Sequence, residues 1–278
     1  MSGLLLAITC AVIYGTADFA GGLAARGAHV LRVVAIAAPV SFLISVALVP
    51  VFGASFGGKV LLWGAVSGVS SAVGFVLLYR TLALGPMSVV SPVTAVVSAV
   101  IPVGVGLAQG KRPGAAALIG IPLAFIAIVL VSAAPSGDGA RPSRAALSFA
   151  LGAGAAISIQ LIAFHEAPAS SGVAPLVVAR GVASVLLVVA ALARRGHLGV
   201  ERPSLRLSAA AGALDGFANL AFLLAVRRAD LTVVAVIAAL YPAATVVLAR
   251  LVLHERLHRT QLIGLGVAAA AVALLATA

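Results

Sequence analysis

Ten stretches of about twenty apolar residues follow one another along this chain, with almost nothing between them. They run over residues 4–24, 30–52, 60–82, 87–108, 114–134, 145–164, 173–193, 205–226, 231–252 and 261–276. Each is long enough, as a helix, to cross the hydrocarbon core of a bilayer. The breaks are short, such as Gly110-Lys111-Arg112-Pro113 and Arg227-Arg228-Ala229-Asp230, and leave no room for an extramembrane domain. Only 9% of the residues are charged and 63% are hydrophobic. A soluble domain carries about 25% charged residues and could not hide this much apolar surface, so lipid must be the solvent for much of it. The expected fold class is all-α, a polytopic membrane protein.

The chain also contains itself twice. Sliding it along itself brings residues 86–120 onto 230–264 without a gap, pairing Val89 with Val233, Val90 with Val234, Arg112 with Arg256 and Leu118-Ile119-Gly120 with Leu262-Ile263-Gly264. The same register superposes the apolar segments and their breaks. The longest break in mid-chain, 135–144, is rich in Gly, Pro and Ser and reads as a linker. Two repeats are expected, 1–134 (helices one to five) and 145–278 (helices six to ten). Five is odd, so the second copy must enter the membrane from the side opposite to the first. That predicts ten transmembrane helices as two inverted five-helix repeats, an architecture suited to opening on either side.

The formal charge of +11 sits singly or in pairs between apolar segments, which reads as loop and interface charge and excludes a nucleic-acid partner. Connections after odd-numbered segments hold the larger share, including Arg26, Arg32, Arg80, Arg141, Arg144, Arg194 and Arg195. Those after even-numbered segments hold Lys59, Lys111, Arg112, Arg227 and Arg228. By the positive-inside tendency alone both termini would lie outside. The single cysteine, Cys10, lies inside the first apolar segment and is expected to be structural. The first segment has no basic residues before it and reads as a retained helix rather than a cleaved leader.

Each half resembles the EamA repeat of the drug/metabolite transporter superfamily. The strongest stretch is 239–257, with Tyr241-Pro242 in the fourth helix of its repeat and Glu255-Arg256 at the helix end. The run from Tyr79 to Pro86 is similar to the family's exit from helix three, and Tyr14-Gly15 stands where Trp-Gly is common. The halves are unequal: Lys111 replaces the Glu255 position, Ser98 replaces Pro242, His254 stands where Gly is usual, and Ser71 falls opposite Asp215. The resemblance implies a transporter in the cell membrane with both termini in the cytoplasm, against the Arg count. It implies Glu255 and Arg256 as structural helix-end contacts.

Asp18 and Asp215 are the two carboxylates well inside apolar segments, where an ionised group needs a partner or a wet cavity. Both are candidates for proton coupling or for contact with a substrate amine. Arg180 is the arginine clearly inside a segment, and either neutralises one of them or holds a substrate carboxylate. Asn219 follows Asp215 by one turn and shares its face, as Asp18 follows Tyr14. Helix four presents Ser91, Thr94 and Ser98 on one side, and Pro92 and Pro102 in the same segment each remove a backbone N–H. Tyr79, Gln160, Tyr241 and Thr245 complete the candidate cavity. His165-Glu166, His254 and His258 show no third ligand at sensible spacing, so no metal is expected. There is no hydrolase, zinc or phosphate-loop motif, so no cofactor and no enzyme is expected. The reading is a secondary transporter for a small metabolite or drug-like solute, exporting it by alternating access on the proton gradient. An uncoupled facilitator, a membrane enzyme acting on a lipid-linked substrate, and a structural subunit are the alternatives. Because one chain would hold both repeats, a monomer is the simpler expectation.

Overall fold

The structure, a computed structural model, describes residues 2–84, 87–110, 114–132, 143–193, 202–252 and 258–275. The apolar segments become helices almost where hydropathy places them: α1 (Ser2–Gly27), α2 (Val30–Ala47) continued by the short α3 (Val49–Phe52), α4 (Gly58–Leu84), α5 (Met87–Ala108), α6 (Ala115–Ser132), α7 (Arg144–Glu166), α8 (Ala174–Ala193), α9 (Arg202–Val226), α10 (Leu231–Ala238), α11 (Tyr241–Val252) and α12 (Arg259–Leu275). No strand occurs among the described residues beyond an isolated bridge between Ala54 and Gly172. Among the described residues, six helices are long and apolar enough to cross a membrane, and four shorter apolar helices accompany them. Large apolar side chains stand exposed around the outside, among them Leu5, Leu43, Leu62, Leu118, Val185 and Leu251. Water would not tolerate such a surface, and lipid does. This is an all-α polytopic membrane protein.

Local chemistry sets the helix ends and breaks. Ser143 caps α7 by accepting the Ala146 N–H at 3.1 Å. His29 does the same for α2 through Nδ1, from the Leu31 N–H at 3.2 Å. The predicted ninth segment is interrupted at Ala239–Leu240, between α10 and α11. Pro242 follows at once; it offers no N–H, and its ring crowds the carbonyl four residues back. At the corresponding place in the first half stands Ser98, and α5 runs through unbroken.

Packing pairs the two halves crosswise. Helix α1 lies along α9, and α4 lies along α7. In turn α2 packs on α9, and α8 packs on α4. The α5–α7 contact is matched by α1 against α10 and α11, while α6 packs on α12 and α2 on α8. Gly68 on α4 and Gly212 on α9 occupy equivalent positions of the repeat. A Cβ at Gly68 would strike the Ala179 carbonyl and Val182, and one at Gly212 would strike the Ala37 backbone. Each glycine brings its helix onto the second helix of the other half, as membrane helices do where small residues let backbones approach. At one end of the bundle, Val173 N–H donates to the Gly53 carbonyl at 2.9 Å. At that same end Arg227 donates to the Gly172 carbonyl at 2.7 Å, Gln109 to Glu166 at 3.2 Å, and Gly3 lies against Arg228 and Ala229. The N-terminus and these connections therefore share a face.

Gly212→Ala is expected to destabilise the protein by about 1–3 kcal/mol through overpacking. Gly266→Ala, where a Cβ meets nothing within 4 Å, is expected to leave the thermal unfolding temperature unchanged or slightly raised. Unfolding of both variants in detergent, side by side, checks the pair.

Candidate functional site

A polar knot sits where α1, α2, α7, α8 and α9 converge. Its base is Arg180 on α8, fully buried, whose Nη1 donates to Asp215 Oδ2 at 2.9 Å. Its Nη2 donates to Asn219 Oδ1 at 3.0 Å. Asn219 is one turn beyond Asp215 on α9, so their side chains meet: Nδ2 donates to Asp215 Oδ1 at 2.8 Å and to the Asp215 carbonyl at 2.8 Å. Ser41 on α2 donates to Asp215 Oδ2 at 2.7 Å. Tyr14 on α1 and Gln160 on α7 both donate to Asn219 Oδ1, each at 2.7 Å. The guanidinium carbon of Arg180 also lies 5.7 Å from the Phe75 ring centre, within cation–π range. Of the two readings open for Arg180 in the sequence, the geometry realises the ion pair with Asp215.

Beside the knot is a cavity of about 60 Å³. Its polar wall is made by Tyr14, Asp18, Ser71, Tyr79, Ser98, Gln160, Asp215 and Tyr241; Phe75, Leu78, Ile157, Leu161, Ala238 and Ala239 form the apolar remainder. All three tyrosines of the chain are on it. Ser71, Phe75 and Tyr79 recur at every fourth residue and so line one face of α4. The Ser71 Oγ and the Tyr79 hydroxyl are buried and make no hydrogen bond. Gly21 on α1 leaves the room that the Tyr79 ring and hydroxyl fill. Ala238 and Ala239 reach the wall because the break before Pro242 ends α10 there. Gly15 brings α1 onto the Tyr241 carbonyl at the start of α11, and Thr245 donates to the Gly15 carbonyl at 3.1 Å.

Asp18 differs from Asp215. It lies one turn from Tyr14, half-buried, on the cavity wall. Among the described residues it has no hydrogen bond and no ion pair.

Of the residues picked from sequence, Tyr14, Asp18, Tyr79, Gln160, Asp215 and Tyr241 meet on this wall. Arg180 and Asn219 stand behind it, in the knot. Thr94 turns to α7 and donates to the Ala150 carbonyl at 3.2 Å. Ser98 reaches the wall while bonding back to the Ala95 carbonyl at 2.9 Å. The side chain of Ser91, residues 135–142 of the expected 135–144 linker, Lys111, Arg112, His254, Glu255 and Arg256 lie outside the described residues. Glu166 is bound to Gln109, and the described residues hold no group of three metal-ligating side chains. Sequence reasoning missed Ser41, whose hydroxyl gives no signal in an apolar helix. It also missed Phe75, which the four-residue spacing with Ser71 and Tyr79 could have revealed.

Fold and site together define a polytopic membrane protein with a chamber lined by both polar and apolar side chains. Residues 144–277 match the sequence model of the EamA-like transporter family. No curated protein matches the chain. Seventeen chains of solved structures match. One, described as "Crystal structure of protein", shares 16% identity at a TM-score of 0.77, over 98% of this chain and 96% of that one. At that identity the likeness concerns the fold alone.

Arg180→Met leaves the Asp215 carboxylate buried without its cation and is expected to cost about 3–5 kcal/mol. The double variant Arg180→Met/Asp215→Leu should regain most of that loss. A thermal double-mutant cycle in detergent reads both.

Proposed function

We propose that the chain is a secondary transporter that exports a small solute by alternating access, driven by the proton gradient. The observation that carries this reading is Asp18: a carboxylate without an ion pair among the described residues, on the wall of a cavity inside a membrane protein. Such a group is costly in lipid and is ordinarily functional. Asp215 is the weaker coupling candidate, because Ser41, Arg180 and Asn219 already hold both of its oxygens.

The chamber lies between two five-helix repeats, 1–134 and 145–278, joined by the 135–144 linker and inverted with respect to each other. The crosswise pairing of α1 with α9 and α4 with α7, and the equivalent roles of Gly68 and Gly212, support that arrangement. Exchanging the conformations of the two halves would open the chamber to either side. Tyr14, Tyr79, Gln160 and Tyr241 contact the solute, Asp18 exchanges the proton, and Arg180 with Asn219 holds the wall. No chemical conversion is part of this reading, and one chain supplies the whole pathway. The protein sits in the cell membrane with both termini in the cytoplasm, following the family resemblance over the Arg bias.

Flux in proteoliposomes across a panel of metabolites, with and without an imposed pH gradient, tests the coupling. Wild-type protein should accumulate its solute only with the gradient, and Asp18→Asn should retain exchange of solute for solute while losing gradient-driven accumulation. Full gradient-driven accumulation by Asp18→Asn would remove Asp18 from the mechanism. A membrane-impermeant reagent should fail to label a cysteine placed at the C-terminus of intact cells; labelling there would reverse the orientation.

A further inference from the structure

We infer that the chamber is built for a small organic monocation, a primary or secondary ammonium carrying a few carbon atoms. The inference rests on the transport reading only for what the chamber is used for; the chemistry of the chamber stands on its own.

Charge comes first. Arg180 and Asp215 cancel each other at 2.9 Å. No lysine, arginine or histidine is on the cavity wall, whereas Asp18 is there without a partner. With Asp18 ionised, the chamber has one uncompensated negative charge, which a monocation neutralises and an anion aggravates. The rings point the same way. Tyr14, Tyr79, Tyr241 and Phe75 supply four aromatic side chains to a cavity of about 60 Å³. The Tyr14 hydroxyl donates its proton to Asn219 at 2.7 Å, so what it can offer a solute is its ring face and an acceptor oxygen. Aromatic faces attract cations and have no such preference for neutral groups. Arg180 already uses the Phe75 ring in this way, from outside the cavity.

The unpaired hydroxyls then separate one kind of cation from another. Ser71 Oγ and the Tyr79 hydroxyl are buried, 2% and 0% exposed by residue, and lack partners. A buried polar atom without a partner destabilises the site that holds it. An ammonium N–H would satisfy these oxygens, while a quaternary ammonium has no proton to give. The apolar wall from Leu78, Ile157 and Leu161 accommodates a short alkyl chain, and the small volume limits its length.

The test is calorimetric binding to the purified full chain in detergent, with butylammonium, butanol, butyrate and tetramethylammonium as probes. Butylammonium should bind at least ~10-fold more tightly than the uncharged and anionic probes, a difference of about 1.4 kcal/mol or more. It should also bind more tightly than tetramethylammonium. Asp18→Asn should remove the preference over butanol, and Ser71→Ala should narrow the gap to tetramethylammonium. Equal or weaker binding of butylammonium relative to butanol or butyrate overturns the inference, and this comparison needs no variant to fold. Ammonium binding without flux of any solute would keep this inference and overturn the transport reading. Flux of neutral or anionic solutes with no ammonium binding would do the reverse.

Discussion

The ion pair between Arg180 and Asp215 is the interaction on which the arrangement of this protein depends. A guanidinium buried to 0% exposure in a membrane protein must be neutralised within reach, or it costs many times what a helix contact returns. Asp215 supplies the charge, and Asn219, a turn further on, turns one pair into a knot that also gathers Tyr14, Ser41 and Gln160. Five helices are thereby held at one point, two from the first half of the chain and three from the second. Because Arg180 is spent on Asp215, Asp18 is left without a cation. The same pairing that stabilises the fold leaves one carboxylate unmatched on the cavity wall.

Close approach of backbones makes the geometry available. In lipid there is little hydrophobic drive to bring helices together, so contact depends on packing and on hydrogen bonds between helices. Gly68 and Gly212 place the third helix of each half against the second helix of the other. Gly15 sets α1 on the broken helix at Tyr241, and Gly21 makes room for Tyr79. These contacts shape the cavity, while the knot fixes its floor.

What lies along one helix was legible in the sequence; what passes between helices was not. Apolar length located the helices to within a few residues, but it read 231–252 as one helix where the structure has α10 and α11, because the break before Pro242 interrupts the backbone without interrupting the apolar run. The one-turn spacing of Asp215 and Asn219 correctly put them on one face. Spacing could not say which aspartate Arg180 would meet, because that is decided by the crossing of α8 and α9. Nor could it say that Thr94 would face α7 while Ser98, four residues on, faces the cavity. Ser41 was invisible for a different reason: serines in membrane helices commonly bond back to their own helix, as Ser45 does to the Ser41 carbonyl at 2.8 Å.

On the transport reading the two intramembrane aspartates have different jobs, Asp215 structural and Asp18 exchangeable. Infrared difference spectroscopy of the reconstituted protein through a pH titration addresses it directly, since a protonated carboxyl has its own band. The account predicts one such core band, retained in Asp215→Asn and absent in Asp18→Asn. A band that survives in Asp18→Asn and vanishes in Asp215→Asn would contradict it.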